Sequence, residues 1–216
     1  MRSFLILILA TGIFCFSFQK ALAQGKNPEN TIFIFDASGS MNGKIDRSTK
    51  IQVAKETMEK LADKIKPGSK VGLIAYGHKS ATSCNDIETL LPVAAFDKTS
   101  FINTIKSINP KGKTPIALSI NHALALIRSL DGPATVILVS DGLETCEGNA
   151  CETVRNAKAA GVKLTMHVVG FGISEKNLSP LECIAQAGGG QYFPADNAND
   201  LAEALEKTVE EQPAGN

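Results

Sequence analysis

The sequence predicts an open, doubly wound α/β domain, mostly parallel, with one antiparallel edge strand and helices on both faces. Three observations predict it. Short apolar runs alternate with amphipathic segments along almost the whole chain. The apolar runs are continuous rather than alternating, which marks strands buried on both faces, as in a parallel sheet covered by helices. One link between two runs is too short for a parallel crossover, which needs a dozen or more residues.

The elements follow in order. Thr31 to Phe35 is an apolar run closed by Asp36. Ile51, Ala54, Met58, Leu61, Ala62 and Ile65 fall three or four apart and make one helical stripe. Val71 to Tyr76 is the second strand, after the turn residues Pro67 and Gly68. Ile87 to Val93 is reached by the short link and is therefore antiparallel to it. The segment Pro115 to Leu130 opens with proline near its first turn, a favoured helix start. Thr135 to Val139 is continuous and β-branched, and Leu164 to Phe171 is the next strand. Residues 151–160 and 179–187 read as helices that end near Gly161 and Gly188, and Asn197 to Val209 as a closing helix. The order β-α-β-β-α-α-β-α-β-α-β-α is that of an open doubly wound domain. No internal repeat or low-complexity tract interrupts it.

The first 23 residues read as a secretory signal peptide: Arg2, an apolar run from Phe4 to Phe18, then Ala21-Leu22-Ala23 as a cleavage site. The run is short for a membrane span of about 20 residues. Bulky Ile13 and Phe14 before Cys15 argue against a lipoprotein signal. Residues 24–29 are a polar lead-in, 30–210 the domain, and 211–216 a frayed tail. The expected location is secreted or periplasmic, with no membrane span after cleavage. Lys and Arg number 22, as do Asp and Glu, and losing Arg2 and Lys20 with the leader leaves a net charge of −2. That balance does not steer the domain onto nucleic acid.

The chemistry concentrates at Asp36-Ala37-Ser38-Gly39-Ser40-Met41, directly after the first strand. Ligands of an open α/β sheet sit beyond the carboxyl ends of its strands, so Asp36 lies at the ligand edge. Ser38 and Ser40 alternate, so both hydroxyls can turn inward, and Gly39 allows a tight turn between them. A carboxylate and two hydroxyls are hard oxygen ligands, suited to Mg²⁺, Mn²⁺ or Ca²⁺ and poorly to zinc or copper.

This D-x-S-x-S motif after a buried strand resembles the metal-ion-dependent adhesion site (MIDAS) of von Willebrand factor A domains and integrin I domains. The resemblance extends to Thr114 in Lys111-Gly112-Lys113-Thr114-Pro115, and to Asp141 in Ser140-Asp141-Gly142. It covers about residues 29 to 210. The stretches Asp141 to Cys146 and Cys183 to Phe193 are similar to bacterial exported members. The resemblance implies that Ser38 and Ser40 hold the cation directly and Thr114 directly or through water. It implies that Asp36 and Asp141 often act through water. It further implies an open coordination position for an Asp or Glu of a protein partner.

Other readings are weaker. His78 ends the second strand and Glu144 follows Asp141, so both are candidates for the surroundings of the site; His122 and His167 read as structural. The chain has no G-x-S-x-G, no Cys with a nearby His, and no glycine-rich phosphate loop. The reading is a non-enzymatic binding module for protein binding and cell adhesion. A metal-dependent hydrolase and a structural subunit of an exported complex are the alternatives.

Four cysteines remain after cleavage: Cys84, Cys146, Cys151 and Cys183. An even count in an exported chain favours disulfides. With the six strands in the order 3-2-1-4-5-6, all four lie near the ligand edge. Strands stand about 4.8 Å apart, so Cys84 and Cys183 are too far apart to pair without long loops. Neighbouring elements place Cys151 or Cys146 beside Cys183, with the other reaching across to Cys84, and Cys151–Cys183 with Cys84–Cys146 is slightly preferred. A local Cys146–Cys151 bond with two free thiols, or no bonds at all, stay open.

Overall fold

The computed structural model describes residues 30–45, 47–174 and 178–210. Along the chain come β1 (Asn30–Asp36), a ribbon of β2 (Lys44–Ile45) and β3 (Ser48–Thr49), α1 (Lys50–Leu61), β4 (Lys70–Tyr76) and β5 (Ile87–Ala95). Then follow α2 (Lys98–Ser107), α3 (Ile116–Ile127), β6 (Ala134–Ser140), α4 (Ala150–Ala159), β7 (Leu164–Phe171), α5 (Leu178–Ala187), β8 (Tyr192–Ala195) and α6 (Ala198–Glu210).

Six strands form one sheet in the order β5-β4-β1-β6-β7-β8. Every pairing in it is parallel except β4 with β5. This is the expected order, with the antiparallel strand at one edge. The signal peptide, the lead-in and the tail read from the sequence lie outside the described residues. Among those described, no helix is long and apolar enough to cross a membrane.

The period of two along β1 explains the two helix layers. Phe33 and Phe35 pack with α1, α2 and α6, whereas Ile32 and Ile34 pack with α3, α4 and α5. All four side chains are fully buried. Burying each contributes roughly 1.5–3 kcal/mol, so β1 ends on a rigid base. Asp36 is its last residue, aligned with Tyr76 of β4.

Three features depart from the sequence reading. The helical stripe stops at Leu61, and Ile65 packs against the core from beyond the helix. The β2–β3 ribbon is too short to leave a periodic signal, yet it delivers the chain to Thr49. That residue caps α1 in a reciprocal box with Gln52. Helix α2, the first of the two helices expected after the edge strand, had no readable location, because only Phe101 and Ile105 on it are buried.

Candidate metal centre

The site begins at the carboxyl ends of β1, β4 and β6. Asp36 is fully buried. Its Oδ1 accepts the Ser38 N–H at 2.7 Å. Its Oδ2 accepts the Tyr76 hydroxyl at 2.7 Å and the Ser140 hydroxyl at 2.6 Å. Tyr76 stands on β4 and Ser140 on β6, so both strands flanking β1 hold the same oxygen. Burial, and then the neighbouring Asp141 charge, push the Asp36 carboxyl above its usual range, against these three hydrogen bonds. Burial and the Asp36 charge together push the Tyr76 hydroxyl well above its ordinary value.

The Ser38–Asn42 segment leaves β1 as a 3₁₀ turn. Ser40 donates to Asp141 Oδ1 at 2.6 Å, which leaves Ser38 Oγ to donate to Ser40 Oγ at 2.9 Å. Both hydroxyls therefore converge on one point and direct their protons toward Asp141. The other oxygen of Asp141 takes the Lys50 ammonium at 3.0 Å. Lys50 also donates to the Gly172 carbonyl beyond β7 at 3.3 Å.

Thr114 sits in the loop before α3, two residues beyond the stretch that meets the serine turn. The Lys111 N–H donates to Ala37 O at 3.0 Å, and the Gly39 N–H to Gly112 O at 2.9 Å, so this loop runs beside the serine turn. The close approach depends on Gly77 rather than on Gly39. Gly77 has φ +70°, and a Cβ there would lie 2.6 Å from Lys113 O. Gly39 has no left-handed φ, and its nearest neighbour would stand at 3.4 Å. Thr114 and Thr145 clamp each other: the Thr114 N–H donates to Thr145 Oγ1 at 2.7 Å, and the Thr145 N–H to Thr114 O at 3.1 Å. The Thr114 hydroxyl makes no hydrogen bond among the described residues, although the residue is buried.

The flanking candidates divide. Glu144 Oε2 accepts the Ala117 N–H at 2.7 Å and its Oε1 the Cys146 N–H at 2.9 Å. It thus caps the first turn of α3, next to Thr114. Burial pushes its carboxyl up, partly offset by those backbone donors. His78 bonds Glu88 at 3.0 Å and lies 3.6 Å from Asp86. None of the hydrogen bonds among the described residues links it to the five ligand candidates. Cys84 pairs with Cys146 and Cys151 with Cys183, the pairing favoured by strand order. The first bond ties the loop after β4 to the loop after Asp141; the second joins α4 to α5.

Carboxylate and hydroxyl oxygens are the donors that small hard cations take. Adjacent oxygens around an octahedral ion with bonds of 2.0–2.1 Å stand about 2.9 Å apart. That is the Ser38–Ser40 separation, so the two hydroxyl oxygens are already spaced as adjacent ligands of such an ion would be. Among the described residues, no three His, Cys, Asp or Glu side chains form a metal-ligating group; the surroundings here are rich in hydroxyls and sparing of charge. Sequence reasoning missed Tyr76, Ser140 and Lys50. Only Ser140, adjacent to Asp141, stood where a motif could have pointed to it.

With this geometry in hand, comparison with known proteins gives the class. Residues 30–207 match the family profile of the von Willebrand factor type A domain. The Bacillus subtilis protein YwmC, described only as uncharacterized, is 33% identical over 90% of this chain and 92% of its own. The chain belongs to the von Willebrand factor type A domain family. Its fold is shared with the corresponding domain of the type V pili tip protein Mfa5 from Porphyromonas gingivalis. That domain is 13% identical, with a TM-score of 0.68 over 86% of this chain and 95% of that one. It is shared also with proximal thread matrix protein 1 of the mussel byssus, solved with zinc in its MIDAS motif. That chain is 18% identical, with a TM-score of 0.68 over 88% of this chain and 48% of that one.

Proposed function

We propose that this chain is an exported, non-enzymatic adhesion module. It holds Mg²⁺, or Mn²⁺ or Ca²⁺, among Asp36, Ser38, Ser40, Thr114 and Asp141, and through it an Asp or Glu of a protein partner. The observation that carries the proposal is the convergence of Ser38 and Ser40, 2.9 Å apart, between two carboxylates already supplied with donors. Asp36 and Asp141 already accept the chain's own donors, and the Lys50 ammonium pairs with Asp141, so the protein leaves a bound divalent cation incompletely neutralised. A bound cation supplies a Lewis-acidic position that an external carboxylate completes. The chain's own part is to orient the two serine hydroxyls, keep the Thr114 hydroxyl free, and hold the loops still. Exposed Lys44, Lys111 and Lys113 lie in the two segments that carry the serines and Thr114, and none has an ion pair among the described residues. They favour the approach of an acidic surface. The two disulfides support an oxidising, extracytoplasmic compartment, and the likeness to a pilus tip domain supports protein binding.

The test is capture of envelope proteins on the immobilised domain in Mg²⁺ and again in EDTA. The expected result is a partner retained only with the cation and released when its acidic residue is changed to the amide. A partner held equally in EDTA overturns the mechanism. A parallel phosphate-release assay is expected to stay at background, which separates binding from hydrolysis.

A further inference from the structure

Lys50 is the first residue of α1, where a cation opposes the helix dipole. Helix stability therefore does not account for it. Its ammonium lies 3.0 Å from Asp141 Oδ2 and 3.3 Å from Gly172 O. The Lys50 side chain is 16% exposed and that of Asp141 0%, so water screens the pair little. The residue over which it passes is a glycine with φ +62°, where an added Cβ would meet Lys50 Cε at 3.0 Å. The backbone beyond β7 is thus shaped to admit this side chain.

The charge count gives the consequence. Ionised Asp36 and Asp141 carry −2, enough to neutralise a divalent cation. With Lys50 in place the protein contributes only −1. One positive charge is left over, which a single carboxylate from outside would neutralise.

We infer that Lys50 is a built-in counter-cation that weakens the site for a free divalent ion and makes ion capture depend on the partner's carboxylate. The inference rests on the metal-dependent reading above and adds who sets the ion's affinity. The ammonium acts by repulsion and by occupying Asp141 Oδ2, not by touching the partner. Ion and partner then bind with positive coupling: each is weak alone and strong together.

The test is Mn²⁺ titration of the whole domain, by calorimetry and by electron paramagnetic resonance, without any partner and then with sodium acetate as the carboxylate probe. Lys50→Gln keeps a donor for Asp141 and removes the charge. It is expected to tighten Mn²⁺ alone by about tenfold, equivalent to about 1.4 kcal/mol, and to lessen the gain that acetate brings. Lys50→Arg keeps the charge and is expected to leave both values within about threefold of the parent. Lys50→Met serves as a second neutral variant if the first does not fold, as judged by circular dichroism. Neutral variants that fold and bind Mn²⁺ no tighter than the parent overturn the inference alone, and weaker binding would make Lys50 only a support for Asp141. If the folded parent and variants all fail to bind Mn²⁺ at about 10 mM, weaker than the weakest ordinary sites, the metal-dependent reading falls and takes this inference with it.

Discussion

Asp36 and Asp141 end on or just beyond adjacent strands of one sheet, yet different parts of the molecule hold them. Asp36 is gripped by the core: Tyr76 from β4, Ser140 from β6 and its own backbone at Ser38. Its donors are all neutral. Asp141 is gripped by the periphery: Ser40 from an exposed turn and Lys50 from the start of α1. One of its donors is a cation. Two carboxylates that both follow buried strands therefore do unlike jobs. Asp36 is a fixed, desolvated anchor whose charge is costly without a cation. Asp141 is a charge already paired, whose position follows the loops.

The comparison breaks most readily at the two aspartates themselves. Asp36→Ala and Asp141→Ala are both expected to weaken Mg²⁺ by more than about 100-fold, since each removes one of two negative charges. Their stability costs are expected to differ. Asp36→Ala strands buried donors at about 1–3 kcal/mol each; relief of the buried charge offsets part of this, leaving about 2–4 kcal/mol. Asp141→Ala leaves an exposed serine and a largely buried ammonium that keeps the Gly172 carbonyl, at a smaller cost of about 1–2 kcal/mol. Urea unfolding in EDTA, beside calorimetric Mg²⁺ titration, checks both. Equal stability losses would erase the distinction between core and periphery.

The next effect tests whether loops hold Asp141. The Cys84–Cys146 bond closes a loop of 62 residues, next to the Thr114–Thr145 clamp. Cys84→Ser with Cys146→Ser is expected to cost about 2–4 kcal/mol and to weaken Mg²⁺ several-fold. The matching pair at Cys151 and Cys183, between α4 and α5, is expected to cost similar stability with Mg²⁺ affinity unchanged. Thermal melts and Mg²⁺ titrations of both double variants decide, and equal effects on affinity would show that the loop after Asp141 needs no staple.

Tyr76→Phe is smaller and sharper. It removes one hydroxyl donated to Asp36 at 2.7 Å and keeps the ring in the core. A hydrogen bond to a charged group is worth about 1.5–3 kcal/mol. The parent's stability advantage should grow as Asp36 ionises, because the lost bond favours the carboxylate. Mg²⁺ affinity is expected to fall about tenfold, near the lower end of that range. An unchanged affinity would mean that Ser140 and the Ser38 N–H suffice to fix Asp36.

These predictions also mark what was legible in the sequence. Asp36, Ser38 and Ser40 could be placed at the ligand edge because strand ends are visible as the close of apolar runs, whereas Thr114 and Asp141 were added by the resemblance to a family motif. The antiparallel strand was legible from the short link that reaches it. Tyr76, Ser140 and Lys50 were not legible for a common reason: each looks ordinary in its own element. Tyr76 reads as the last apolar residue of a buried strand and Lys50 as a surface lysine before a helix. Their roles arise only when separate elements meet, Lys50 with Asp141 across 91 positions. Gly77 was hidden likewise, because its close approach to Lys113 appears only when the two loops meet.

Glu144 is a third carboxylate at this edge and offers the smallest, most diagnostic effect. It is half-buried and accepts two backbone N–H groups, from Ala117 and Cys146. Burial outweighs those donors and raises its pKa above the usual 4.5. A carboxyl raised on folding is more readily protonated in the native state than in the unfolded chain. Its contribution to stability is therefore fully present below the unfolded pKa, of about 4.3, and is lost as pH rises through the folded value. Glu144→Gln cannot titrate, so the difference between parent and variant isolates this carboxyl. The melting temperature of the parent minus that of the variant should fall as pH rises through the acid range, then level off toward neutrality. Solvent screening of a half-exposed group keeps the change to under about 2 °C. Paired thermal melts in EDTA from acid to neutral pH measure it. A difference that rises instead would mean that the backbone donors at α3 win over burial, and that Glu144, like Asp141, is a charge the loops are built to hold.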